Sequence, residues 1–189
     1  MSVVSVEKDF QSRSLILVAD FDAPIERVWE LWANPRQLER WWGPPTHPAT
    51  VDKYNLVAGG EVTYVMTGPG GEESRGWWRV TSVDPPRSLE FTDGFANRDG
   101  SPNAELATTE VQMRLTRHDG GTRMELRFVF ASRERMDQLE RWGAFEVFPQ
   151  SVGQMDALLG AGTRTGGTRP GFATPAFSKP SDNRAQETH

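Results

Sequence analysis

The chain has 189 residues, 37% of them hydrophobic, a net charge of −5 and no cysteine. That size suits one domain plus tails, and disulfides, thiolate catalysis and cysteine-based metal sites are excluded. Acidic and basic residues are interspersed with no basic stripe, so nucleic-acid binding has no electrostatic footprint; no basic-then-apolar leader or membrane-length apolar run is present, which suits a cytoplasmic protein.

Residues 1–13 are polar and read as a flexible N-terminus ahead of a domain spanning 14–159. Leu15 to Phe21 reads as a strand. Asp22 is a candidate N-cap, and Pro24 suits the first helical position, where its missing N–H costs nothing. The helix is expected to reach Ala33, with Val28, Leu31 and Trp32 on one face. Asn34-Pro35 breaks it and starts a second short helix, Pro35 to Trp41, which Gly43-Pro44-Pro45 ends. This pair is a poor DNA-binding unit, since no basic recognition face follows.

From Pro48 to Ala131 the signals are strands and turns. Strands are expected at 48–54, 60–67, 74–83 and 88–93, punctuated by Gly59-Gly60, Gly68-Pro69-Gly70-Gly71 and Asp84-Pro85-Pro86. Asp93 to Asn103 reads as a polar loop. Thr109, Val111, Met113 and Leu115 alternate with polar residues, as do Met124, Leu126, Phe128 and Phe130. Asp119-Gly120-Gly121 joins these two strands as a hairpin with one buried and one wet face. Ser132 caps a helical stretch to about Leu159, where Trp142, Phe145, Phe148, Val152, Met155 and Leu159 recur at helical spacing. Pro149 is expected to kink this helix or split it near Val147. Residues 160–189 are rich in Gly, Pro and Thr and read as a disordered tail.

The order is strand, two short helices, six strands, long helix. With it come Phe21-Asp22-Ala23-Pro24 before Val28-Trp29, then Trp41-Trp42-Gly43-Pro44 and Val65-Met66-Thr67-Gly68-Pro69. Val83-Asp84-Pro85-Pro86-Arg87, Leu89-Glu90-Phe91-Thr92, Phe95-Ala96-Asn97-Arg98-Asp99-Gly100 and Asp119-Gly120-Gly121-Thr122-Arg123 continue the succession. Gly153-Gln154-Met155-Asp156-Ala157-Leu158-Leu159 closes it. Over residues 12–160 this collinear set resembles the START-like (SRPBCC) superfamily, and within it the homologues of the activator of heat-shock-protein-90 ATPase. The resemblance implies an α+β helix-grip fold: a curved antiparallel sheet wrapped around a long C-terminal helix, with a cavity between them. It implies a hydrophobic small molecule as ligand, a few relatives being cyclases or hydrolases. Eukaryotic relatives stimulate a chaperone's ATPase, which connects the branch to stress response.

The candidate ligand-binding residues are Trp42, Tyr64, Trp78, Glu90, Met113, Phe128, Phe130, Trp142, Phe145, Phe148 and Val152. Large rings on both walls of a curved sheet and helix are hard to interdigitate without leaving space. Trp78 stands where relatives carry a small residue and is expected to narrow the pocket, and Pro149 to bend its helical wall. Tyr64, Glu90, Arg79 and Glu146 are the polar groups that could reach the cavity mouth. A buried carboxylate there would be a weakened acid able to move a proton, so a cyclase or hydrolase working from Glu90 or Glu146 is the alternative function. A co-chaperone is the third reading. His47, His118 and His189 have no metal-ligand spacing, and neither a metal nor a cofactor is expected. A homodimer would cover open sheet edges.

Overall fold

The structure, a computed structural model, describes residues 3–160. Its elements are β1 (Val3–Asp9), β2 (Ser14–Phe21), α1 (Ile25–Ala33), α2 (Pro35–Leu38), β3 (Ala49–Tyr54) and β4 (Glu61–Thr67). Then follow β5 (Glu73–Asp84), β6 (Ser88–Ala96), β7 (Thr109–His118), β8 (Gly121–Phe130), α3 (Arg133–Arg141) and α4 (Ala144–Gly160). The strands form one antiparallel sheet in the order β1-β2-β8-β7-β6-β5-β4-β3. After β2 the helices α1 and α2 carry the chain to the far edge. A meander from β3 to β8 then returns it beside β2. This is the α+β helix-grip architecture, and no helix among the described residues is long and apolar enough to cross a membrane.

The strict alternation of the sequence becomes one buried face. Leu15, Leu17 and Ala19 of β2 stand opposite Phe128, Leu126 and Met124 of β8. Val111, Met113 and Leu115 of β7 oppose the same three β8 residues from the other side. Leu89 and Phe91 of β6 continue the row against Met113 and Val111. All of these are buried. A register slip of one residue would turn every one of them to water, so burial itself holds the pairing.

Helix α1 buries Ile25, Val28, Leu31 and Trp32. It starts after Pro24, two residues later than an Asp22 cap requires, and no side chain caps it. The Pro24 carbonyl instead accepts from Arg27 and Val28. Asn34 serves two helices: its N–H closes α1 on Glu30, and its side chain accepts from Arg36 at 2.9 Å to start α2. Helix α2 stops at Leu38, short of the expected Trp41, and continues as turns to Trp42.

Three further expectations are corrected. The polar N-terminus contains β1, an edge strand held by backbone pairing to β2 and not by burial, since most of its side chains are exposed. The C-terminal helix is divided, but at Gly143 and not at Pro149. Gly143 adopts φ 79°, a left-handed conformation that ends a helix outright. Pro149 lies inside α4 and removes one backbone hydrogen bond. Finally, β6 runs three residues past Asp93, so Asp93 belongs to the strand and not to a polar loop. Beyond Gly160 the expected tail lies outside the described residues.

Candidate functional site

Two walls and a floor enclose a cavity of about 190 Å³. The helical wall is one face of α4, with Ala144, Val147, Phe148, Ser151 and Val152 at helical spacing, joined by Arg135 and Leu139 of α3. The sheet contributes Tyr64 and Met66 of β4, Ser74 and Arg75 of β5, and Asp93, Gly94 and Phe95 of β6. Thr109 of β7 and Leu126 and Phe128 of β8 complete that wall, with Ala107 from the loop before β7. Trp41 and Trp42, carried on the turn after α2, close one end. Gln154 of α4 donates to the Gly43 carbonyl at 2.7 Å, which ties this turn to the helical wall.

The aromatic floor is packed solid. Trp42 meets Trp78 edge-on at 4.6 Å, and Trp78 stacks on Phe91 at 4.1 Å. Trp32 and Trp41 lie edge-on to each other at 4.6 Å, and the Trp41 indole donates to the Leu31 carbonyl at 2.9 Å. Phe128 and Phe148 stack at 4.3 Å, joining sheet to helix. Such ring contacts each add about 0.5–1.5 kcal/mol beyond the burial of their area.

One pole of this apolar space is polar. Tyr64 donates its hydroxyl proton to Asp93 Oδ1 at 3.0 Å. Tyr64 can lie across β5 because its cross-strand neighbour is Gly76; a Cβ there would come within 2.3 Å of the ring and its hydroxyl. Asp93 is partly buried in β6 and lines the cavity. Burial therefore raises its pKa to about 7, against the opposing effects of the Tyr64 hydroxyl, the Trp78 indole and the Arg135 charge. Burial, and then the Asp93 charge, pushes the Tyr64 phenol well above its usual range. Arg135 is buried in the first turn of α3; desolvation lowers its pKa from the ordinary guanidinium range, and the Asp93 charge opposes that shift. The indole N–H groups of Trp42 and Trp78 lie near this pole, yet neither makes a well-aligned hydrogen bond.

Of the residues proposed from sequence, Trp42, Tyr64, Phe128, Phe148 and Val152 line the cavity. Trp78, Met113, Phe130 and Phe145 are buried, but as core beside or behind it. Trp78 therefore fills the floor and does not narrow the pocket. Phe145 faces Phe130 at 5.6 Å. Trp142 is 56% exposed at the end of α3, because the break at Gly143 takes it off the α4 face. Glu90 sits on the outer face of β6 beside Gln112 and Arg127, one residue out of phase with Leu89 and Phe91. Glu146 is exposed, and Arg79 reaches out to Glu61 at 2.7 Å. A cyclase or hydrolase built on Glu90 or Glu146 thus loses both carboxylates from the cavity. The carboxyl that faces it is Asp93, which sequence reasoning missed. The signal was present: Leu89, Phe91 and Asp93 continue one alternation. Arg135 was missed because a charged residue in the first turn of a helix ordinarily faces water.

A family model described as Activator of Hsp90 ATPase homolog 1-like protein matches residues 22–160. A crystal structure of a protein from Mycobacterium smegmatis is 44% identical, over 85% of this chain and 99% of that one, with a TM-score of 0.78. A solution structure of a protein from Arthrobacter aurescens is also 44% identical, over 85% and 93% of the two chains, with a TM-score of 0.81. A protein from Staphylococcus epidermidis shares the fold at 21% identity and a TM-score of 0.74, over 88% of this chain and all of its own. No match is found among curated proteins.

Proposed function

The chain belongs to the Activator of Hsp90 ATPase homolog 1-like family, and on that premise we propose that it binds a hydrophobic small molecule in the cavity between the sheet and α4. The observation that carries this reading is the cavity itself: apolar on nearly all sides, with one enclosed carboxyl–phenol pair at a single pole. Ligand pockets have this composition, a mostly apolar lining with a few placed polar groups. Ordinary cores are filled, and apolar space left unfilled forfeits contacts that a ligand restores.

The volume limits the occupant. At about 190 Å³ the cavity lies below the usual range of drug-sized pockets, roughly 300–1,000 Å³. Long acyl chains and fused polycycles exceed it. The test is thermal shift and native mass spectrometry against a panel of small apolar compounds, with Val152→Trp as the filled-cavity control. The expected result is a rise in Tm for the wild type that the filled variant lacks. A panel that moves neither protein would overturn the proposal.

A further inference from the structure

We infer that the cavity takes a molecule of about one ring bearing a single uncharged hydroxyl, whose O–H donates to Asp93. This rests on the ligand-binding reading above and names the ligand class.

The body of the ligand follows from size. An apolar cavity of roughly 150 Å³ holds one benzene ring. The space here is about 190 Å³, enough for a ring and a small substituent or two. Trp42, Phe128, Phe148, Leu126 and Val152 supply its apolar surroundings.

The head follows from the hydrogen bonds that are made and not made. Asp93 Oδ1 is taken by Tyr64. Asp93 Oδ2 makes no well-aligned hydrogen bond, the Trp78 indole near the carboxyl being poorly aimed, and it is not among the sealed polar atoms of a residue that lines the cavity. Trp42 Nε1 and the Nε atoms of Arg75 and Arg135 make no well-aligned hydrogen bond, but they are sealed in the wall and offer a ligand no such opening. Arg135 is only 5% exposed, and its Nη1 is already committed to Gln138 at 2.7 Å.

Charge then excludes the ionic heads. The charged groups lining the cavity are Asp93 from β6, Arg135 from α3 and Arg75 from β5; Arg75 is held by Asp52 and Glu73, and α4 contributes none. A carboxylate on the ligand would be buried against Asp93. An ammonium would be buried against Arg135. Either ion is also taken out of water into a cavity whose lining is almost wholly apolar, a cost that one opposite charge at this pole offsets only in part. A neutral hydroxyl donates to the open carboxyl oxygen and brings no charge into the cavity.

Four probes of similar size decide the matter by isothermal titration of the full chain at neutral pH: 4-methylphenol, toluene, benzoate and benzylamine. 4-Methylphenol is expected to bind about tenfold or more tightly than toluene, the value of one well-made hydrogen bond at the upper end of its range. The two ions are expected to bind more weakly than toluene. In Asp93→Leu the advantage of 4-methylphenol over toluene closes while toluene still binds. The wild-type ranking needs no variant, so it stands as the test should Asp93→Leu fail to fold. Equal binding of 4-methylphenol and toluene, or preference for either ion, overturns the hydroxyl inference and leaves the ligand-binding reading intact. Binding of none of the four overturns both.

Discussion

Asp93 is an acid that the fold weakens. Its ordinary pKa lies near 3.8, and enclosure in the cavity wall raises it to about 7. Between those values the folded protein holds a proton that the unfolded chain has lost. Stability contributed by this group is therefore complete below about pH 4, declines as pH rises, and is lost above about pH 7. At about 1.4 kcal/mol per pKa unit the span is about 4 kcal/mol at most. Urea denaturation of wild type and Asp93→Asn across pH 4–8 reads it directly. The expected result is a wild-type midpoint that falls with pH relative to the variant. Parallel curves would show that Asp93 is solvated. The physical reason Asp93 escaped sequence reading is the same one that makes it unusual. Asp ends strands and opens loops far more often than it sits inside them, so Asp93-Gly94 read as a boundary although the alternation ran through it.

Among the elements, the strands were legible because each carries two signals, alternation and a turn at either end. The pairings Thr109 to Leu115 with Met124 to Phe130 follow from Asp119-Gly120-Gly121 alone. The C-terminal helix was harder because its apolar spacing continues across the break. Trp142 keeps helical phase with Phe145 but stands on the other side of a left-handed glycine. Gly143 was overlooked beside the more conspicuous Pro149. The two residues make opposite predictions. Gly143→Ala forces a side chain into φ 79° and is expected to destabilise by about 1–2 kcal/mol. Pro149→Ala restores a backbone hydrogen bond inside α4 and is expected to stabilise by about 1–3 kcal/mol. Chemical denaturation of both variants measures this. A neutral Gly143→Ala together with a destabilised Pro149→Ala would move the break back to the proline. The break matters for the site because it sets α3 and α4 apart, and only then can Arg135 face the same cavity as Val152.

For the whole molecule, the consequence of this topology is an uneven distribution of stability. Strands β2, β8 and β7 lie inside the sheet with α1 and the C-terminal helices packed over them. Strand β1 is an edge with Val4 and Val6 exposed, followed by an exposed Phe10, and is tied to the helical layer through Lys8 and Glu140. Amides of β1 should therefore exchange by local fraying, and those of β2 and β8 only by global opening. A ligand that binds the folded cavity slows every exchange route that destroys the cavity, by the factor 1 + [L]/Kd. Fraying of β1 leaves the cavity whole, because none of its residues lines it. Hydrogen exchange with and without a saturating cavity ligand should thus show slowing in β6, β8, α3 and α4 and no change in β1. Slowing confined to β1 and the outer strand face would place the ligand on the surface, at the edge that a second copy could cover. The shape of the site was legible from sequence as a sheet facing a helix. Its polar pole was not, because Tyr64, Asp93 and Arg135 come from three separate elements, and only the register of β4, β5 and β6 and the turn at Gly143 bring them to one end of the cavity.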